Sequence, residues 1–242
     1  MRDFITCLEF LTRVRFSKRT DWRDEDFSRS VPYFPLVGLV IGSLLAAINY
    51  SLFYIETPLF LRVTLLLLVE IIITGGLMYD GFMDTADGVF SARSRERMLE
   101  IMKDSHVGSN AVLAIIILLL LKIAAYLELS GETLTWVLLT MSVATRTFMV
   151  VFIVNFPYAR KEGIGHMFTK YAKPFYTYIA FAVCAGIIAA CGLQYLAVAG
   201  ICFTVTLIIA QYLKTQLGGL TGDTYGALTE CGNVIYLSLI HI

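Results

Sequence analysis

The sequence predicts an all-α, polytopic membrane helix bundle of about seven transmembrane helices, with an amphipathic interfacial helix before them and a cytoplasmic N-terminus. Three observations predict it. Of 242 residues, 57% are apolar and only 16% charged, with a mean hydropathy of +0.73; soluble domains are about 25% charged. The apolar residues gather into runs of the length a bilayer-crossing helix needs, roughly 20 residues. The basic residues alternate from one connecting segment to the next, as the positive-inside rule requires.

The N-terminal element comes first. Seven basic and six acidic side chains in residues 1–30 exclude a cleavable signal peptide. Phe4, Cys7, Leu8, Leu11 and Val14 recur at helical spacing, with Arg2, Glu9, Thr12, Arg13 and Arg15 elsewhere on the wheel. That pattern fits a helix in the membrane interface, or one packed on the protein's own cytosolic surface. Six spans follow at 34–55, 58–78, 110–127, 133–155, 175–191 and 194–213. A seventh, 226–242, stops on an apolar LSLIHI with no polar tail and reads as shortened or altered. Gly38 and Gly42 form a GxxxG that predicts close helix packing. The whole of 1–242 reads as one transmembrane domain.

The connecting segments set the orientation. Seven basic residues precede the first span, four lie in 79–109, four in 156–174 and one in 214–225, with none in 56–57, 128–132 or 192–193. The long segments are therefore predicted to be cytoplasmic, and any chemistry should face the cytosol. Within the spans lie Arg62, Lys122 and Arg146. Arg62 and Lys122 are expected near outer ends, where they would snorkel. Arg146 and Glu70 lie at depth, where a charge is costly and calls for a partner; each could pair with the other or serve the chemistry. The five cysteines have no CxxC spacing and exclude a disulfide scaffold or zinc finger. Nineteen basic against nineteen acidic residues leave no field for gripping nucleic acid.

The densest chemistry lies between Tyr79 and Gly108. Asp80, Asp84 and Asp87 are spaced i, i+4, i+7 and so share one face of a helix continuing from the second span, within about 60° of each other. Like charges held together are kept at low cost only with a cation between them, and all-oxygen donors suit Mg²⁺, Mn²⁺ or Ca²⁺. The plain alternative is a solvated turn whose aspartates cap helices. Arg93, Arg95, Arg97 and Lys103 follow, then Asp104, Ser105 and His106, the last read as an interfacial polar residue. Metal plus guanidinium is a common way to hold a pyrophosphate; a basic run is also what orientation alone produces. Arg160 and Lys161 suit an anion-contacting flap, and Asp223, flanked by Gly222 and Gly226, repeats the first cluster in miniature.

These stretches carry a resemblance. FPLVGLVIG (34–42), DGFMDTADG (80–88), RERMLEIMKDSHVGS (95–109) and LTGDTYGA (220–227) resemble the cobalamin-5′-phosphate synthases, also called adenosylcobinamide-GDP ribazoletransferases. The match runs from Phe34 to Ala227 in the expected order. The family tends to have Arg where this chain has His106. The resemblance implies an inner-membrane enzyme of cobalamin nucleotide-loop assembly. Such an enzyme joins adenosylcobinamide-GDP to α-ribazole or its 5′-phosphate and releases GMP, with Mg²⁺ (Mn²⁺ possible) as cofactor. A more distant likeness is to the CDP-alcohol phosphotransferases, whose Ala-Arg after the first Asp-Gly and later Gly-x3-Asp-x3-Asp are lacking here.

On this reading Asp80, Asp84, Asp87, Asp104 and Asp223 are expected as metal ligands, with Asp104 or Asp84 as the carboxylate that takes the attacking hydroxyl's proton. Arg93, Arg95, Arg97, Lys103, Ser105, Arg146, Arg160 and Lys161 are expected as phosphate contacts. The expected partners are the two substrates and the lipid bilayer, with a homo-oligomer possible and no nucleic acid. The rival from another class is an ion-coupled transporter built on Glu70 and Arg146, which the gathering of carboxylates at one membrane face disfavours.

Overall fold

A computed structural model describes residues 2–16 and 23–242. Lys18 and Arg19, two of the seven N-terminal basic residues, lie outside them. The described chain is helical, and its apolar helices make it a membrane protein. Four helices are long and apolar enough to cross a bilayer alone, or up to six segments if two bent pairs each count as one crossing.

Helix α1 (Arg2–Leu11) buries Cys7, Leu8 and Leu11 against the body of the protein, next to α2 (Asp24–Ser30). The amphipathic stripe thus packs on the chain itself, and it ends one turn before Val14, which is exposed. Helix α3 (Phe34–Tyr54) lies along α8 (Gly131–Asn155), the central and most buried helix. The two backbones touch at the GxxxG: a methyl group on Gly38 would collide with the Ser142 carbonyl, and one on Gly42 would sit 2.8 Å from the Leu139 Cα. The packing reading of that motif holds.

The second predicted span does not run on into the aspartates. Helix α4 (Leu59–Thr74) ends at Gly75 and Gly76, both left-handed with φ of 65° and 71°, and α5 (Leu77–Phe90) leaves at 91° to it. Two successive residues at positive φ are sterically costly for anything but glycine, so this pair encodes the break. Helix α6 (Arg95–Ile101) and α7 (Ser109–Leu127) follow. A second bend, of 100°, separates α9 (Ile164–Lys170) from α10 (Phe175–Cys191). After α11 (Leu193–Leu217) the chain closes with α12 (Gly222–Leu239).

The seventh predicted span is corrected here. Helix α12 buries Thr224, Thr229, Glu230 and Asn233 and is not among the helices apolar enough to cross alone. It packs chiefly along α5, where a β-carbon on Gly81 would stand 2.6 Å from the Asp223 carbonyl oxygen. That contact draws two distant acidic motifs together.

The charges inside the spans are also paired otherwise than expected. Lys122 does not snorkel: it is fully buried, and its Nζ donates to Glu70 (2.9 and 3.2 Å), Tyr79 Oη (2.6 Å) and Glu230 (3.1 Å). Glu70 therefore takes Lys122 as its partner and not Arg146. The Arg146 guanidinium donates to Thr145 Oγ1 at 3.1 Å and lies in electrostatic reach of Glu230. Arg62 is buried as well, its guanidinium 5.2 Å from the centre of the Phe53 ring.

Candidate active site

The site forms where the start of α5 meets the start of α12. Thr221 caps α12 by accepting from the Thr224 amide at 3.2 Å, while Thr224 Oγ1 accepts from the Thr221 amide at 2.8 Å. This fixes Asp223 in the first turn. The approach to the cap is held by the 156–163 segment: Ala159 N donates to Leu220 O, and Leu220 N to Pro157 O, both at 2.8 Å. The residue after Ala159, Arg160, reaches Asp223 with an ion pair of 2.8 Å. The Arg160 Nη2 also donates to the Met102 carbonyl at 3.5 Å.

Asp80, Asp84, Asp223 and Arg160 then form one electrostatic unit. Asp84, half-buried, feels the like charges of Asp223, Asp80 and Asp87 and the opposite charge of Arg160. Neither Asp80 nor Asp84 makes a side-chain hydrogen bond or ion pair among the described residues. Asp80, Asp223 and Arg160 line a cavity of about 240 Å³ whose other walls include Phe34, Met149, Phe168, Tyr158 and Tyr225. On its other side Asp80 borders a second cleft of about 630 Å³ under α1. No three acidic, histidine or cysteine groups among the described residues stand ready as a closed metal site.

The remaining predicted residues are distributed around this centre. Asp87 turns away and caps α7, accepting from Gly108 N at 2.6 Å and Ala111 N at 2.9 Å; for this one aspartate the structure shows a capping contact. Asp104 is exposed on the α6–α7 connection, where it accepts from His106 N at 3.0 Å and pairs with His106 Nδ1 at 2.6 Å. These bonds hold its carboxyl below the usual range and push the His106 imidazole up. A carboxylate so stabilised is a poor proton acceptor, and the structure does not bring it to the Asp80–Asp223 cavity. Arg95 lies across Gly218. Arg97 pairs with Glu100 at 2.8 Å in solvent. Arg93, Lys103, Ser105 and Lys161 are exposed and line neither cavity. Arg146 is buried and lines neither.

Two features escaped the sequence pattern. Tyr225 walls the cavity with Tyr158, their rings 6.5 Å apart; Tyr158 stands with Arg160 in the flap the sequence offers, but aromatic residues are so common in this chain that spacing gives Tyr225 no contrast. Arg13 borders the second cleft although it reads as one more interfacial cation.

Comparison with known proteins shows the family. Residues 3–241 match the family model described as Cobalamin-5-phosphate synthase. A protein of Desulforamulus reducens named adenosylcobinamide-GDP ribazoletransferase is 41% identical over 238 residues, covering 96% of this chain and 94% of its own. Its namesakes in Clostridium novyi and Escherichia coli K12 are 35% identical (98% and 95% covered) and 37% identical (97% of each). No solved structure matches. Matched over nearly its whole length, this chain belongs to the cobalamin-5-phosphate synthase family of transferases.

Proposed function

We propose that the protein joins adenosylcobinamide-GDP to α-ribazole, or to its 5′-phosphate, and releases GMP, at a site facing the cytoplasm of the cell's inner membrane. The observation that carries this reading is the meeting of Asp80, Asp223 and Arg160 at one cavity, with Asp84 in their electrostatic field, in a chain whose relatives bear the ribazoletransferase name. The alternation of basic residues supports the orientation.

The donor set suits Mg²⁺, or Mn²⁺. Asp80, Asp84 and Asp223 gather with no histidine or cysteine among them, and among the described residues Asp80 and Asp84 have no partner. Asp80, Asp84 and Asp223 would hold the ion after side-chain rotation, with Asp87 kept on α7. Such an ion, when bound, offsets charge on a pyrophosphate and polarises its phosphorus.

The chain's own residues do the rest. Arg160, released from Asp223 as phosphate enters, offers a planar fork to the phosphate oxygens. Tyr158, Tyr225 and the apolar wall exclude water that would otherwise hydrolyse the activated donor. The acceptor hydroxyl oxygen bonds to the phosphorus carrying the cobinamide, and the phosphorus–oxygen bond to GMP breaks with the bridging oxygen leaving on GMP. The acceptor's proton passes to the Asp84 carboxylate oxygen that the ion leaves free; Asp84 is half-buried and, among the described residues, has no arginine or amide bonded to it. Purified protein given both substrates with Mg²⁺ should release GMP, and chelation should stop it. Absence of GMP with both substrates saturating would refute the reading.

A further inference from the structure

We propose that the cleft under α1 is the binding site for the nucleoside diphosphate end of the activated donor, with Arg13 as a phosphate-binding residue; this rests on the reaction proposed above. Asp80 is a common wall of the two cavities, together with Phe10 and Leu77. In a phosphoryl transfer the attacking and leaving oxygens lie roughly in line across phosphorus. A reacting phosphate held beside Asp80 therefore needs one space for the acceptor and another, across from it, for the leaving nucleotide. The smaller cavity of about 240 Å³, with its aromatic and aliphatic walls, suits a compact aromatic riboside. The larger, about 630 Å³, is bordered by Glu9, Thr12, Arg13, Arg15 and Thr74, and suits a charged, hydroxylated nucleotide.

Arg13 is placed by specific contacts. Its amide donates to the Ile73 carbonyl at 2.6 Å, which pins it to the end of α4. Its side chain then lies over Gly75, in the space where any β-carbon at that position would be. The left-handed Gly75 thus makes the break between α4 and α5 and at the same time opens the seat for a guanidinium. Among the described residues neither Arg13 nor Arg15 has a carboxylate partner. Holding a cation in a polar cleft next to a site that handles pyrophosphate, with no acidic neighbour paired to it, is what recognition of a phosphate requires. An anionic lipid headgroup offers the same phosphate chemistry, so the test separates the two.

The experiment uses the full chain in phosphatidylcholine nanodiscs and measures GDP binding with Mg²⁺ alongside steady-state kinetics. Arg13→Ala should weaken GDP binding, and raise KM for adenosylcobinamide-GDP, by about 10- to 100-fold, the worth of one charge-assisted contact. KM for α-ribazole should stay unchanged, which also reports an intact fold. Arg13→Lys should lose less. Binding of GDP to Arg13→Ala as tight as to wild type overturns the proposal, as does a rise in KM for α-ribazole instead. So does a wild type that fails to bind GDP. If Arg13→Ala has an effect only in phosphatidylglycerol discs, the arginine holds a lipid and the proposal falls. GDP binding that depends on Arg13, in a protein that releases no GMP, would sustain the cleft assignment and refute the reaction.

Discussion

Replacing Lys122 by methionine tests whether the buried charge cluster holds the helices of the candidate site together. Lys122 is fully buried, and its ammonium bonds at once to Glu70 on α4, Tyr79 on α5 and Glu230 on α12. Tyr79 precedes Asp80, and Glu230 lies two turns beyond Asp223 on the same helix. The cluster therefore ties the two carriers of the candidate-site carboxylates to each other. Lys122→Met preserves length and apolar volume but leaves two buried carboxylates, with Arg146 the remaining cation in reach of Glu230. Breaking a buried pair in this way costs about 3–5 kcal/mol. At about 2–4 °C per kcal/mol for a chain of this size, the unfolding midpoint should fall by about 6–20 °C. The measurement is thermal unfolding of the purified protein in detergent. The triple variant Glu70→Gln, Lys122→Met, Glu230→Gln removes the stranded charges and should recover most of the loss. A Lys122→Met midpoint within about 2 °C of wild type would refute the reasoning.

Asp84→Asn should abolish GMP release while the protein still purifies, whereas Asp87→Asn should chiefly cost about 1 kcal/mol of stability through its weakened cap on α7, read by unfolding midpoint. Asp104→Asn should keep most of the activity, because Asp104 is exposed and engaged with His106. The His106 pKa, raised by Asp104, means that the pair persists at pH below the ordinary histidine value and is lost as pH rises through the elevated one. The imidazole titration followed by NMR should accordingly move to lower pH in Asp104→Asn. A cysteine at Ser91 should react with an impermeant label only after the membrane is opened, and one at Gly131 without opening it; the reverse pattern would overturn the cytoplasmic placement.

Much of this architecture was legible because its signals are local. The span at 133–155 is a long apolar run that became α8, Gly131–Asn155, and Gly38 with Gly42 declared a close contact that the structure places on Ser142 and Leu139. The carboxylates of the site were legible too, since acidic residues stand out in an apolar chain. Their grouping was not. Helical spacing puts Asp80, Asp84 and Asp87 on one face, yet a face of a helix meets several neighbours. Asp87 meets the free amides at the start of α7, while Asp80 and Asp84 meet α12. Which partner each finds depends on contacts between elements far apart in sequence, chiefly Gly81 against Asp223.

The pairing of the buried charges shows the same limit from the other side. Sequence depth alone offered Arg146 as one counter-ion for Glu70, beside a role for each in the chemistry, and left Lys122 to reach for water. In the fold the second span stops at Gly75, and the chain turns by 91°. That turn brings Tyr79 back beside Glu70, its hydroxyl donating at 3.1 Å. A pocket with a phenol and two carboxylates is then available to the one residue of α7 able to fill it with charge, and Lys122 is drawn inward because three acceptors there outweigh the cost of burial. The double glycine thus decides two things at once. It separates the span from the helix that bears the aspartates, and it creates the internal acceptor site that anchors this helix to α12, so that Asp80 faces Asp223 across a cavity instead of continuing into solvent.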